Sequence, residues 1–142
     1  MRVQRECNIG FCPRAWEMMF SEVPSNHLGL EWEPSHQLEQ LINPIEQLKE
    51  WHSKVFHVHG KDAHIDYEHI KKYGIWFGES YCTHRFPGMG DSDWKEIISL
   101  LKGYGYTGDI AIEGYHDSVY NGEKEWEGQR LALEYLRKCM EE

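Results

Sequence analysis

Long apolar runs are missing from this chain. No window of its 142 residues approaches the roughly 18 apolar residues that a membrane-spanning helix requires. Met1-Arg2-Val3-Gln4-Arg5-Glu6 has no apolar signal-peptide core. Basic charge is scarce as well: 15 Lys and Arg stand against 24 Asp and Glu, a net charge of −9. Nucleic-acid binding rests on Lys and Arg contacts to phosphate, so the acidic balance argues against a nucleic-acid partner, as the absence of apolar runs does against a membrane. Paired cysteines are also lacking. Cys7, Cys12, Cys82 and Cys139 form no CxxC motif and read as reduced thiols of a cytoplasmic protein. There is no GxxxxGK[ST] phosphate loop, no internal repeat, no low-complexity tract and no linker. The length fits one domain, residues 1–142. Aromatic bulk is plentiful: six Trp, eight Tyr and five Phe can fill a core.

Helical and strand patterns alternate. Cys12-Pro13-Arg14-Ala15-Trp16 opens a helix with Pro13 near its first position, where the missing N–H costs nothing. Pro24-Ser25-Asn26 ends it. From His27 to Glu33, Leu28, Leu30 and Trp32 alternate with Gly29, Glu31 and Glu33, the period of a strand, and Pro34-Ser35-His36 reads as the turn that stops it. Asn43-Pro44 starts a helix carrying Ile45, Leu48 and Trp51. Lys54 to Gly60 is a second strand, with Val55, His57 and His59 on one face and Phe56 and Val58 on the other. Lys61 to Gly90 reads as a long loop, of the kind that covers or builds a site. Asp91-Ser92-Asp93-Trp94 caps a helix faced by Ile97, Ile98, Leu100 and Leu101, which ends at Gly103 and Gly105. Asp109 to Gly114 is a third strand. A last helix, from about Glu123 to Met140, places Trp126, Leu133, Leu136 and Met140 on its apolar face.

Strands alternating with helices imply right-handed crossovers and a parallel sheet, hence an α/β fold. With helices on one face of the sheet, Glu33, His59 and Glu113 are left on the other, near the C-terminal ends of their strands. Such ends are where α/β folds and barrels place their sites. Two carboxylates and an imidazole suit Mn²⁺, Mg²⁺, Co²⁺ or Zn²⁺; the same three residues also read as ordinary polar strand ends. His36 binds substrate oxygen or supports a ligand, or is a solvent-facing turn residue. Arg85, beside the Gly-rich turn Phe86 to Gly90, can grip hydroxyl or phosphate oxygens with its fork, or is a surface residue. His57 reads as an interior polar group. Lys61-Asp62 reads as a loop ion pair or as an outer support for His59.

Four segments, Gly29 to Gln37, His57 to Asp62, Arg85 to Trp94 and Gly105 to Glu113, resemble the xylose-isomerase-like TIM-barrel family in order and spacing. That family includes sugar-phosphate isomerases and epimerases and is related to endonuclease IV. The resemblance implies one divalent metal ion held by four ligands, with Glu33 as the second, His59 the third and Glu113 the fourth. Glu113 is also the catalytic base, and His36 and Arg85 bind substrate. The family more often has Asp where Glu33 stands.

A full barrel has eight strands and about 250 residues, so the resemblance implies parallel β/α units corresponding to the last three strands: an incomplete barrel and a C-terminal fragment. The first ligand would lie upstream of Met1, and Glu6 does not align with it. The expected function is a metal-dependent sugar or sugar-phosphate isomerase or epimerase, inactive as this fragment alone and holding its ion weakly or not at all. The alternatives are a non-catalytic remnant that self-assembles or complements an N-terminal partner, and an endonuclease IV-like phosphoesterase, which the acidic charge disfavours. The expected partners are a small-molecule sugar or sugar phosphate and further copies of the chain, since exposed sheet edges invite pairing.

Overall fold

The computed structural model describes residues 10–141; Glu6 and Cys7 lie outside them. Three parallel strands form a sheet in the order β1–β2–β5: β1 (Leu30–Trp32), β2 (Val55–Gly60) and β5 (Ile110–Ile112). This is the expected α/β arrangement, part of a barrel without closure. The connections carry α2 (Pro34–Glu39) and α3 (Pro44–Trp51) between β1 and β2, and α5 (Trp94–Gly103) before β5. Helix α1 (Pro13–Glu22) precedes the sheet and α6 (Glu125–Glu141) follows it. No described helix is long and apolar enough to cross a membrane.

Local chemistry starts most of the helices where the sequence predicts. Pro13 occupies the first turn of α1. The Asn43 side chain accepts from the N–H of Ile45 at the head of α3, and Asp93 accepts from that of Glu96 at the head of α5, satisfying backbone donors that a helix N-terminus leaves without partners. One core joins sheet and helices: Leu30, Trp32, Val55 and Val58 from the strands meet Leu48 of α3, Trp94, Ile97 and Leu101 of α5 and Leu136 of α6. Among the described cysteines, Cys12, Cys82 and Cys139 are all free.

Four expectations are corrected. First, Lys61 to Gly90 is not a structureless loop. It holds β3 (Asp62–Ile65), α4 (Tyr67–Tyr73) and β4 (Cys82–Arg85). β3 and β4 pair antiparallel, Ala63 opposite His84 and Ile65 opposite Cys82, over a small core of Ala63, Ile65 and Cys82. Asp66 caps α4 by accepting from the N–H of His69. Second, Pro34-Ser35-His36 does stop β1, but it does so by starting α2, with Glu33 at the cap position.

Third, β2 does not alternate cleanly. The pairing with β1 slips between Leu30, opposite Val55, and Glu31, opposite His57. The irregularity leaves Phe56 unmatched, as an extra residue in one strand does. Val55 and Val58 therefore both enter the core while Phe56 is exposed. The Phe56 ring lies over Gly29, where any Cβ would come within 2.2 Å of it. Fourth, α6 does not bury Trp126, which is 84% exposed. Its packed face is Gly128, Ala132 and Leu136, spaced four and four. Small residues there let the helix axis come close to Phe86, which is fully buried.

Candidate metal centre

Glu33, His59 and Glu113 occupy equivalent places on three neighbouring strands: just after β1, one residue before the end of β2 and just after β5. Register brings them level. His59 pairs with Ala111, and the N–H of Glu113 donates to the Gly60 carbonyl at 3.0 Å, extending the ladder by one residue. One ligand atom from each of the three lies within 4.8 Å of the others. His59 Nδ1 is 3.1 Å from Glu113 Oε2 and 3.5 Å from Glu33 Oε2. Glu33 is only 3% exposed, and the Ser35 hydroxyl donates to its Oε1.

Two further charges shape the site. Glu31, two residues before Glu33 and so on the same strand face, reaches His59 Nδ1 at 2.7 Å. Lys61 is buried and donates to Glu113 Oε1 at 2.6 Å. Burial pushes the Glu113 carboxyl up, but the hydrogen bond and charge of Lys61, with His59 and His36 nearby, hold it below the usual carboxylate range. Three carboxylates thus surround one imidazole nitrogen while a single ammonium neutralises one of them. Such a cluster attracts a cation. The donor set fits a divalent ion: ligands about 2.0–2.2 Å from a common centre lie up to about 4 Å apart, close to the spacing observed.

Neither sequence reading of Lys61-Asp62 holds. Lys61 turns to Glu113, while the fully buried Asp62 accepts from the N–H groups of Ala63, Ser92 and Gly88 and from Trp94 Nε1. Asp62 ties β3 to the turn leading into α5. Its burial pushes the carboxyl up, opposed by the hydrogen bonds of Ser92, Ala63 and Trp94.

His36 sits in the first turn of α2, with Nε2 3.5 Å from Glu33 Oε1. Arg85 ends β4, and its Nε donates to Asp117 Oδ2 at 3.1 Å. Asp117 also accepts from the N–H groups of Phe86, Val119 and Tyr120. Although burial works against it, these bonds hold its carboxyl below the usual range. His57 stacks edge-on to His59 at 5.2 Å between ring centroids, an interior neighbour of the triad. Sequence reasoning missed Lys61 as the Glu113 partner, and it missed Glu31, Asp117 and His84. Only Glu31 carried a signal, the period of two that it shares with Glu33. The others meet the site through β3, β4 and the segment after β5, which pattern alone did not bring together.

A family model described as xylose isomerase-like TIM barrel matches residues 4–139. An uncharacterized protein of Bacillus subtilis (strain 168), YfiH, is 30% identical over 122 residues, which cover 80% of this chain and 38% of that one. A xylose isomerase domain protein from Planctomyces limnophilus superposes with a TM-score of 0.67 at 24% identity, over 89% of this chain and 40% of its own. A second such domain protein, from Alicyclobacillus acidocaldarius subsp. acidocaldarius, gives 0.62 at 19%, over 89% and 42%. A probable 3-DHS dehydratase, AsbF, involved in petrobactin synthesis in Bacillus anthracis, gives 0.59 at 16%, over 87% and 43%. The chain thus spans about two fifths of the length of the relatives it matches.

Proposed function

The chain belongs to the xylose isomerase-like TIM-barrel family, and from that premise we propose that it supplies three ligands, Glu33, His59 and Glu113, of the divalent-metal site of a sugar or sugar-phosphate isomerase or epimerase. The observation that carries this reading is the convergence of the three donor atoms within 4.8 Å at the C-terminal ends of parallel strands, where barrel enzymes do their chemistry. Mn²⁺, Mg²⁺, Co²⁺ and Zn²⁺ all accept such an oxygen and nitrogen set. Bound there, the ion supplies Lewis acidity toward the carbonyl and hydroxyl oxygens of the sugar.

Glu113 is the base in this reading. It takes the proton from the carbon next to the sugar carbonyl. In an epimerisation a second acid/base group returns a proton to the opposite face of that carbon, and in an isomerisation Glu113 delivers the proton to the neighbouring carbon. The ionised form of Glu113 is the one required, and Lys61 at 2.6 Å favours that form. Ser35 orients Glu33 by donating to Oε1, leaving Oε2 toward His59. His36, beside Glu33, and Arg85, pinned by Asp117, bind substrate hydroxyls at the rim. A fourth ligand and a second acid/base group belong to the part of a barrel beyond the three strands here, so this chain by itself binds metal weakly and does not turn over. Residues 1–142 are in this view one domain, the C-terminal part of a (β/α)₈ barrel. A non-catalytic role as a self-assembling unit is the second reading, favoured by the two sheet edges that stay open among the described residues.

Calorimetric titration with Mn²⁺ tests the site. Wild-type protein binds one ion, and Glu113→Gln and His59→Gln weaken it at least about tenfold, a loss in keeping with removal of one charged or coordinating contact. Binding of equal strength in both variants sinks the metal reading. Ketose epimerisation, measured on this chain and on a barrel completed by an N-terminal part, tests the activity.

A further inference from the structure

The end of the fold that carries the triad also gathers imidazoles and cations from four elements, although the chain as a whole is acidic. His36 comes from α2, Lys61 from the junction of β2 and β3, His84 and Arg85 from β4, and His116 from the segment after β5. The ring centroids of His84 and His116 are 6.1 Å apart. We propose that His84 and His116, with Arg85 next to His84 in β4, form a subsite for an oxyanion carried by the substrate, a phosphate or a carboxylate. The subsite rests on the proposed function in one respect: the anion is a substituent of the molecule handled at the triad.

The carboxylates nearest the subsite are engaged, and the unneutralised charge of the triad lies around His59. Glu113 holds Lys61, Glu31 holds His59, and Glu33 accepts from Ser35. Asp117 accepts from Arg85 Nε and from three backbone N–H groups. By gripping Nε, Asp117 fixes the guanidinium and leaves its two terminal nitrogens without a partner among the described residues. Those nitrogens form the donor fork that suits phosphate and carboxylate.

His84 is held by its place in β4 opposite Ala63. Its Nδ1 is sealed from solvent and has no partner among the described residues, so Nε2 is the ring atom left to meet a ligand. Burial, then the nearby Lys61, His116 and His36, push its titration down to about 4, with Glu113 acting the other way. His116 has a φ of +70°, a left-handed conformation that side chains other than glycine adopt at a cost when their surroundings impose it. The imposing groups are visible. Asp117 donates its N–H to the Gly114 carbonyl and accepts from Val119 and Tyr120, and the Tyr115 ring packs against His116 at 3.8 Å. A strained residue held with its imidazole 6.1 Å from that of His84 is a motive for placing a ligand between them.

The test titrates inorganic phosphate, and separately acetate, into metal-free protein at constant ionic strength, so that neither probe reaches the chain through an ion on the triad. The histidine ring resonances and calorimetry are followed together. Wild-type protein binds phosphate or acetate, and His84→Gln and His116→Asp weaken that binding about tenfold, the equivalent of one charge-assisted hydrogen bond. His116→Gly relaxes the backbone as it removes the ring, so it guards against a loss of fold at the half-buried His84, and it too weakens binding. Lys71→Ala, on the exposed face of α4, leaves it unchanged. Preference for phosphate or for acetate assigns the source of the oxyanion. Absence of binding at millimolar concentration, or equal binding in His116→Gly and wild type, overturns the subsite. Mn²⁺ titration of the wild type separates the two readings: phosphate bound through His116 with no Mn²⁺ bound overturns the metal reading and leaves the subsite, and Mn²⁺ bound with no oxyanion affinity does the reverse.

Discussion

At the scale of single residues, burial and partners decide what each ionisable group does. His84 shows this most directly. Its titration lies at about 4, against an ordinary histidine value near 6.5, so the folded chain keeps it neutral where the unfolded chain has bound a proton. Between about pH 6.5 and about pH 4 the unfolded state therefore holds more protons, and stability falls as pH falls through that window and levels off below it. Ring-proton NMR should give a His84 midpoint near 4, and urea unfolding of His84→Gln should lose this part of the acid sensitivity. A midpoint near 6.5, or an unchanged acid slope in the variant, contradicts the burial account. Cys82 illustrates the inert case: burial first, then the charges of Glu39 and Asp91, push its thiol up to about 12, so it is not a nucleophile at neutral pH. Of the residues that converge at the centre, Glu33, His59 and Glu113 were legible in sequence because each is one polar residue at the end of an apolar strand. Lys61 was not, because its neighbour Asp62 offered a nearer partner on paper than Glu113, 52 positions away in the chain.

At the scale of elements, spacing gave the right type and missed the packed face. The last helix reads as amphipathic about Trp126, Leu133, Leu136 and Met140, yet it packs through Gly128, Ala132 and Leu136. Close approach is favoured because Phe86 fills the space beside Gly128, where an added Cβ would come within 2.4 Å of the ring. Two effects oppose each other in Gly128→Ala. Helix propensity gains about 1 kcal/mol, while forcing a methyl group against a fully buried aromatic costs about 1–3 kcal/mol. Phe86 has no room to retreat, so the second wins and thermal unfolding should move to lower temperature. A higher melting temperature for Gly128→Ala shows instead that α6 can slide outward. The segment from Lys61 to Gly90 was hidden for a different reason. β3 and β4 have four residues each, too few to display a period, and their pairing spans a separation in sequence that no local pattern records. A stretch of that length without structure was itself a warning, since such loops are uncommon in compact folds.

At the scale of the whole molecule, the sheet is open on both sides among the described residues. β1 and β5 each have one strand neighbour, β2, and each offers an unpaired edge of the kind that recruits another chain. Trp126, Leu133, Met140 and Phe56 add exposed apolar surface. Burying about 400 Å² of such surface is worth about 10 kcal/mol at 25 cal/mol per Å², comparable with the stability of an ordinary domain. Size-exclusion chromatography with light scattering at micromolar concentration should therefore give a mass above the 16.9 kDa of one chain, with symmetric dimers the commonest outcome. A monodisperse monomer would refute this expectation. The sequence by itself determined the α/β class, the order of the three parallel strands and the three polar residues at their ends, because alternation, helix caps and strand-end chemistry are local. Only the tertiary structure decided that the three donor atoms meet, that Lys61 turns inward to Glu113, that Asp117 pins Arg85, and that His84 and His116 face each other. Those facts depend on register between strands and on packing between segments far apart in the chain, and no local pattern encodes a distance across the sheet.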